Sequence, residues 1–329
     1  MTTHESLTML TKAQELADAG QFADVVEYLD GWNAEQLEDS PTLALTYGIA
    51  RARLGAYDEG RKWVERALER ARERADQTME ARALNVSGAI AFERGEIDEA
   101  AQYFQRALSE AETDDDHATV GRCSNNLGII AHLRGDAGRA VGSFTLALAA
   151  FEQAGLQHGV AEVLHNLAIA HRDRGDLEKA LETAHEAVSA AQEAGDHALV
   201  AQTQGGRAEI RLQSGDLPLA EREIGRALEA HRAAGNVLGE ADDMRVFANI
   251  VARRGEIDEA EQLFRDLIHH AEELHRPLLA ARAERDLAHL LMQNHRAADG
   301  QEVARTARVR FEALGAVAEV RALDRLLND

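Results

Sequence analysis

The sequence has little of several features on which whole classes of protein depend. Cys123 is the only cysteine among 329 residues, which excludes a disulfide within the chain. No apolar run approaches the ~18 residues that a membrane-spanning helix needs, and the polar start of the chain has no signal-peptide core. Together these absences predict a cytoplasmic protein.

Positive charge is also scarce, and lysine supplies almost none of it. The 58 acidic residues outnumber the 36 lysines and arginines, which gives a formal net charge of −22. Only Lys12, Lys62 and Lys179 are lysines. Because an acidic surface repels nucleic acid and anionic lipid, we expect neither as a partner.

The motifs of common catalytic and metal sites are missing as well. There is no phosphate-binding loop, no GxSxG and no HExxH, and the histidines of "HHAEELH" lie five residues apart, the wrong spacing for one metal-binding helix face. The segment "TDDDHAT" lacks the glycine and the distal glutamate of a calcium loop. We therefore expect no metal, no cofactor and no enzymatic activity.

The chain does contain a repeat of forty residues. Three prolines and 25 glycines punctuate a sequence rich in Ala, Leu, Glu and Arg, which favours helices separated by glycine turns. Glycines recur every forty residues from Gly55 to Gly255, and His295 stands where the next glycine of this series would be. Two series of turns are predicted: Gly55, Gly95, Gly135, Gly175, Gly215 and Gly255, and between them Gly155, Gly195, Gly235 and Gly315.

Acidic residues directly follow the glycines of the first series, except at Gly55. An acidic side chain at the start of a helix can accept hydrogen bonds from free backbone N–H groups and complements the helix dipole. We therefore expect the second helix of each repeat to begin at one of these residues: Glu96, Asp136, Asp176, Asp216 and Glu256.

Small residues also follow the forty-residue period. Gly88 and Gly128 precede the predicted turns at Gly95 and Gly135, and Ala100 and Ala140 follow them. Small side chains at these positions let the two helices of a hairpin approach closely where they cross. Such a hairpin cannot bury its apolar face alone, whereas a stack of hairpins can. We predict one all-α solenoid domain over residues 1–329 with about eight hairpins. It consists of an irregular first repeat at 1–40, forty-residue repeats at 41–315 and a capping helix at 316–329.

These columns resemble the tetratricopeptide repeat. The third full unit matches the family's signature of small and bulky positions at Leu127, Gly128, Ala140, Phe144 and Ala147. The long period is similar to the repeats of Pins-type adaptors, kinesin light chain and MalT-type sensor arms. The resemblance implies a right-handed superhelix whose first helices line a concave groove that binds an extended peptide or a helix of a partner.

Polar side chains on the first helices are candidates to line that groove. Asparagine can pair with a peptide group in either direction, and arginine can hold a carboxylate through two parallel bonds. Arg122 and Asn126 share one helix face because they lie four residues apart. The predicted peptide-binding residues are Arg82, Asn85, Phe92, Arg122, Asn125, Asn126, Ile129, His132, His165, Asn166, Ile169 and Arg172. A secondary, more polar stretch comprises Arg245, Asn249, Arg282, Arg285 and His289.

Two functions follow from this interpretation. The first is a non-catalytic scaffold or adaptor that holds an acidic and hydrophobic segment of a partner protein. The alternative is a regulatory receptor, similar to MalT-type arms or Rap-type receptors, whose superhelix changes shape on binding a small molecule or signalling peptide. A structural role for Asn125 and Asn126, satisfying backbone groups between repeats, stays open. Self-association through the end repeats also stays open.

Overall fold

The computed structural model describes residues 3–328, apart from the side chains of residues 3–7 and 34. Within that range every regular element is a helix, which confirms the all-α prediction. None of these helices is both long and apolar enough to cross a lipid bilayer.

The chain divides into two compact units, and unit 1 comprises Met1–Leu127. It contains two short helices, of nine and five residues, that break the regular pattern. Its helices, the last of which ends in unit 2, are α1 (Thr3–Asp18), α2 (Phe22–Asp30), α3 (Ala34–Glu38), α4 (Pro41–Arg53), α5 (Tyr57–Glu73), α6 (Gln77–Glu93), α7 (Ile97–Thr113) and α8 (His117–Leu133).

Unit 2 comprises Gly128–Asp329 and begins within α8. Its helices are regular hairpin arms of seventeen residues followed by a shorter last helix. They are α9 (Ala137–Gln153), α10 (Gln157–Asp173), α11 (Leu177–Glu193), α12 (His197–Gln213), α13 (Leu217–Ala233), α14 (Val237–Arg253), α15 (Ile257–Glu273), α16 (Pro277–Gln293), α17 (Ala297–Ala313) and α18 (Val317–Asn328).

The turns explain why the helices end where they do. The glycines of both predicted series have positive φ angles, for example 78° at Gly95 and 66° at Gly155, a conformation that glycine adopts without steric cost. Where the column lacks glycine, another residue adopts the same left-handed conformation, as at His295 with φ 62°. The turn predicted at that position is therefore present although its glycine is not.

Each of the predicted second helices begins directly after its acidic residue, but only the aspartates cap the helix with a side-chain hydrogen bond. Asp136 and Asp176 accept hydrogen bonds from the backbone N–H groups of Arg139 and Lys179, whereas Glu96 and Glu256 make no capping bond. The capping prediction is wrong for these two glutamates. Their longer side chains instead form ion pairs with arginines, Glu96 with Arg94 and Glu256 with Arg254.

Close crossing of the hairpin arms depends on the small residues. A Cβ atom on Gly88 would lie 2.6 Å from the ring of Phe104, and one on Gly128 would lie 2.5 Å from the ring of Phe144. Both phenylalanines are fully buried. The glycines therefore leave the space that the aromatic rings of the paired helices fill.

In unit 2, the last helix packs on more than the hairpin before it. Leu323 of α18 belongs to a buried cluster with Phe311 of α17, and Leu133 at the end of α8 packs against the same cluster. A Cβ on Gly135 would lie 2.8 Å from that of Ala318. Helix α18 thus also contacts the turn between α8 and α9.

Candidate peptide-binding face

The predicted site residues of unit 1 lie on α6 and α8, the first helices of two successive hairpins. Arg122 is exposed and forms no ion pair or hydrogen bond with any residue that the structure describes. Arg82 is exposed too, and its Nε lies 3.4 Å from a carboxylate oxygen of Asp116. Since Asp116 also accepts two hydrogen bonds from Thr119, its position is fixed.

Amide groups connect the same two helices. Nδ2 of Asn126 donates to Oδ1 of Asn85 across 3.3 Å, and the thiol of Cys123 donates to the same oxygen across 3.4 Å. Both asparagines stay partly exposed, and the remaining N–H groups of their amides form no hydrogen bond within the described residues. This pair therefore serves the packing between repeats and still presents donors at the surface. Asn125 and Phe92 are partly exposed on the same helices.

Cys123 is not a reactive group. It is fully buried, and burial raises the pKa of its thiol to about 12. A thiol with that pKa stays protonated at physiological pH and is a poor nucleophile.

In unit 2, the corresponding helix face carries a continuous chain of ion pairs. Its members alternate in charge along α10, α12, α14, α16 and α18, with consecutive nitrogen–oxygen distances of 2.7, 2.6, 2.5, 2.8, 2.8 and 2.7 Å. We call this set the ion chain: Asp173, Arg172, Glu209, Arg245, Asp286, Arg285 and Glu319.

The charges of the ion chain strongly affect one another's pKa values, because its central side chains are largely buried. Burial alone would raise the pKa of Glu209, but the charges of Arg172 and Arg245 outweigh it and the pKa is lowered. The pKa of Asp286 is lowered to about 2 against the same effect of burial, because Arg285 and Arg245 face it. These carboxylates therefore stay charged down to acidic pH, and the arginines between them are already paired with carboxylates.

The structure places the predicted residues of unit 2 in different surroundings. Arg245 is buried and held on both sides by Glu209 and Asp286, and Asn249 donates to Asp286 across 2.9 Å. Arg172 and Arg285 are members of the ion chain as well. Partly exposed positions comprise Ile129, His132, His165, Asn166, Ile169, Asn249, Arg172, Arg282 and Arg285, whereas His289 is exposed.

The histidines of this face are poor bases. The pKa of His165 is lowered to about 4, first by burial and then by the charge of Arg172, and its ring lies against Gly206. The pKa of His132 is also lowered by burial, although its Nε2 lies 3.4 Å from Asp173. Both rings are therefore neutral at physiological pH. No group of three or more metal-binding side chains occurs among the described residues.

The acidic members of the ion chain are the residues that the sequence prediction missed. Two of them lie close to one repeat length after a predicted arginine: Glu209 follows Arg172 by 37 residues, and Asp286 follows Arg245 by 41. Residues at this spacing lie on neighbouring first helices. A search of the sequence for opposite charges at this spacing could have identified the ion pairs.

Comparisons with known proteins agree with this architecture. The model of the MalT-like TPR region matches residues 81–321, and a tetratricopeptide repeat model matches residues 39–112. The chain therefore belongs to the MalT-like TPR region family, and the predicted tetratricopeptide resemblance is confirmed. No curated protein sequence matches the chain.

Solved structures share the fold at low sequence identity. A Rap protein complexed with competence and sporulation factor is 15% identical, with a TM-score of 0.65 over 99% of this chain and 97% of the other. NprR in complex with its cognate peptide NprX is 15% identical, with a TM-score of 0.65 over the whole of both chains. Aspartyl phosphate phosphatase F from Bacillus subtilis is 11% identical, with a TM-score of 0.70 over 88% of this chain and 74% of the other. At these identities the likeness shows the fold alone.

Proposed function

We propose that this chain is a non-catalytic binding protein that holds an extended peptide segment against the first helices of unit 1. The observation that carries the proposal is Arg122, an exposed guanidinium without an ionic partner among the described residues, beside the amide pair of Asn85 and Asn126. Arginine would bind a carboxylate of the peptide, and the free amide N–H groups would bind its backbone carbonyls.

Two further findings support this proposal. NprR, which matches this chain along its whole length, was solved in complex with its cognate peptide. In addition, the only thiol of the chain, Cys123, is buried and has a raised pKa, which makes it a poor nucleophile. A cytoplasmic location would suit the single free cysteine, because thiols stay reduced there. Acidic and hydrophobic side chains in the peptide would suit Arg82, Arg122 and Phe92.

A regulatory receptor is the second candidate. Membership of the MalT-like TPR region family favours it, as does the likeness to a Rap protein complexed with competence and sporulation factor. In this case the bound peptide is the signal rather than a segment of a stable partner. Peptide binding is common to both candidates, so the same experiment comes first.

The test uses peptides selected from a phage-displayed library of random dodecapeptides. Selected sequences are made with a fluorescent label, and their affinity is measured by anisotropy against the native protein and against Arg122→Ala/Asn126→Ala. Hydrogen bonds to charged groups contribute about 1.5–3 kcal/mol each, so we expect the double variant to bind roughly tenfold more weakly or worse.

Arg106→Ala is the matched control, because Arg106 is exposed on α7, a second helix of the same unit. It should bind with native affinity, and both variants should keep the native circular dichroism spectrum. The proposal is wrong if selected peptides bind the folded double variant as tightly as the native protein, or if Arg106→Ala weakens binding to the same extent.

A further inference from the structure

A cavity of about 150 Å³ lies within unit 2, where α18 approaches the turn that follows α8. This volume is well below the roughly 300–1,000 Å³ of sites for drug-sized molecules. A ligand of this cavity is therefore small. Its walls carry both apolar and charged side chains, among them Leu133, Asp173, Leu278, Arg282, Ala318 and Glu319.

Arg282 is the wall residue without a partner. It forms no hydrogen bond or ion pair with any other residue in the described part of the chain, whereas the neighbouring arginines Arg172 and Arg285 are each held by two carboxylates. Burial lowers the pKa of Arg282, and the charges of Arg245 and Arg285 lower it further. A partly buried guanidinium whose N–H groups form no hydrogen bond within the described residues is suited to a planar carboxylate, which it can bind through two parallel bonds.

The charges around the cavity restrict what can bind there. The ion chain has four carboxylates and three guanidinium groups, so the charge of Arg282 makes the cluster neutral. An added anion would leave the cluster with a net negative charge, and repulsion from its carboxylates would disfavour binding. A ligand with one negative and one positive group keeps the balance.

Two wall carboxylates have unused acceptor positions for the positive group. Glu319 accepts a hydrogen bond from Arg285 through Oε1, and no hydrogen bond to its Oε2 occurs within the described residues. Asp173 is bonded by Arg172 through Oδ1 and lies near His132 through Oδ2. An ionised carboxylate offers about four lone-pair sites, so both residues can accept further bonds from an ammonium group.

We propose that this cavity binds a free α-amino acid with a small apolar side chain. Arg282 holds the carboxylate, Glu319 and Asp173 accept hydrogen bonds from the ammonium group, and Leu278 and Ala318 contact the side chain. Because the walls come from both α18 and the end of α8, the ligand ties the last helix of unit 2 to its first turn. This site is independent of the peptide-binding face proposed for unit 1.

The test measures the thermal denaturation midpoint, Tm, of the full chain with each of the common amino acids at millimolar concentration, followed by titration calorimetry of those that raise it. We expect small apolar amino acids such as alanine to raise Tm and to bind with a stoichiometry of one. N-acetylalanine lacks the ammonium group and alaninamide lacks the carboxylate, so neither should raise Tm.

Variants of Arg282 give the decisive comparison. Arg282→Gln should weaken amino-acid binding roughly tenfold or more, because charge-assisted bonds are lost. Arg282→Lys keeps the charge but loses the two parallel bonds, so it should fold and still bind more weakly even if Arg282→Gln does not fold. Arg321→Gln is the control, since Arg321 is exposed on α18 and its loss should leave binding unchanged.

The proposal fails if no amino acid binds, if N-acetylalanine or alaninamide binds as well as alanine, or if both Arg282 variants bind like the native protein. None of these results bears on peptide binding at Arg122, so the two proposals are tested separately.

Discussion

Asp243 is a carboxyl group buried without a close cationic partner. Its residue is 5% exposed, and its Oδ2 lies 3.7 Å from Nε2 of His231, which is 2% exposed. That separation is too long for a hydrogen bond. Burial, reinforced by the charge of Asp242, raises the pKa of Asp243 to about 8, and burial lowers the pKa of His231. Near neutral pH both groups are therefore mainly uncharged.

We predict that Asp243→Asn changes the pH dependence of stability. The folded protein holds the proton of Asp243 up to about pH 8, whereas the unfolded chain releases it near pH 4. The contribution of Asp243 to the free energy of unfolding is therefore fully present below about pH 4 and is lost as the pH rises through about 8. The amide has no such loss, so the Tm of the variant should rise relative to the native protein between about pH 5 and pH 9.

Exposed Asp258 on α15 provides the control, since Asp258→Asn should follow the native curve in parallel. His231 acts with the opposite sign: its pKa is lowered, so its contribution is present above about pH 6.5 and is lost as the pH falls. If Asp243→Asn instead lowers Tm most near neutral pH, the two residues form an ion pair and our description of them is incorrect.

At the scale of the helices, two glycines of one hairpin have opposite surroundings. A Cβ on Gly128 of α8 would press into the ring of Phe144, whereas nothing lies within 4 Å of the Cβ position of Gly142 on α9. We predict that Gly128→Ala lowers the free energy of unfolding by about 1–3 kcal/mol through overpacking. Gly142→Ala should raise it by roughly 0.5–1 kcal/mol, because alanine favours the helix.

Urea denaturation followed by circular dichroism measures both changes, and each variant is the control for the other. Equal stabilisation by the two substitutions would mean that the helices of this hairpin do not cross closely at Gly128.

The boundaries of the helices could be predicted from the sequence because local chemistry determines them. From α4 onwards each turn contains a residue with positive φ, and glycine marks most of these positions at intervals of forty residues. Ala75, Asp115, His275 and His295 take up the same conformation without glycine. Turns of this second kind are recognised only from the period of the repeat.

The surroundings of the candidate site residues could be predicted only in part. The period places Asn125 and Arg245 in equivalent positions of their hairpins, yet Asn125 is partly exposed and Arg245 is buried between Glu209 and Asp286. The difference depends on which side chains neighbouring helices bring within about 3 Å, and a single sequence does not give those distances. Whether these residues bind a peptide stays a prediction.

At the scale of the whole molecule, the organisation of the chain as one domain also stays a prediction. The boundary between unit 1 and unit 2 falls at Leu127 and Gly128, inside the continuous helix α8. The forty-residue period runs through this point without interruption, from Gly95 to Gly135. A linker between independent domains is usually exposed and irregular, and a helix in mid-repeat is neither.

We therefore expect the chain to unfold as one cooperative domain. Trp32 and Trp63 are its only tryptophans and both lie in unit 1, so their fluorescence reports unit 1, whereas circular dichroism at 222 nm reports the helices of both units. For a single cooperative transition the two signals coincide in midpoint and slope during urea denaturation. Neighbouring hairpins stabilise one another in a repeat array, so Gly142→Ala in unit 2 should shift the fluorescence transition as well. Two separate transitions, or a fluorescence midpoint that ignores Gly142→Ala, would mean that the two units fold as independent domains.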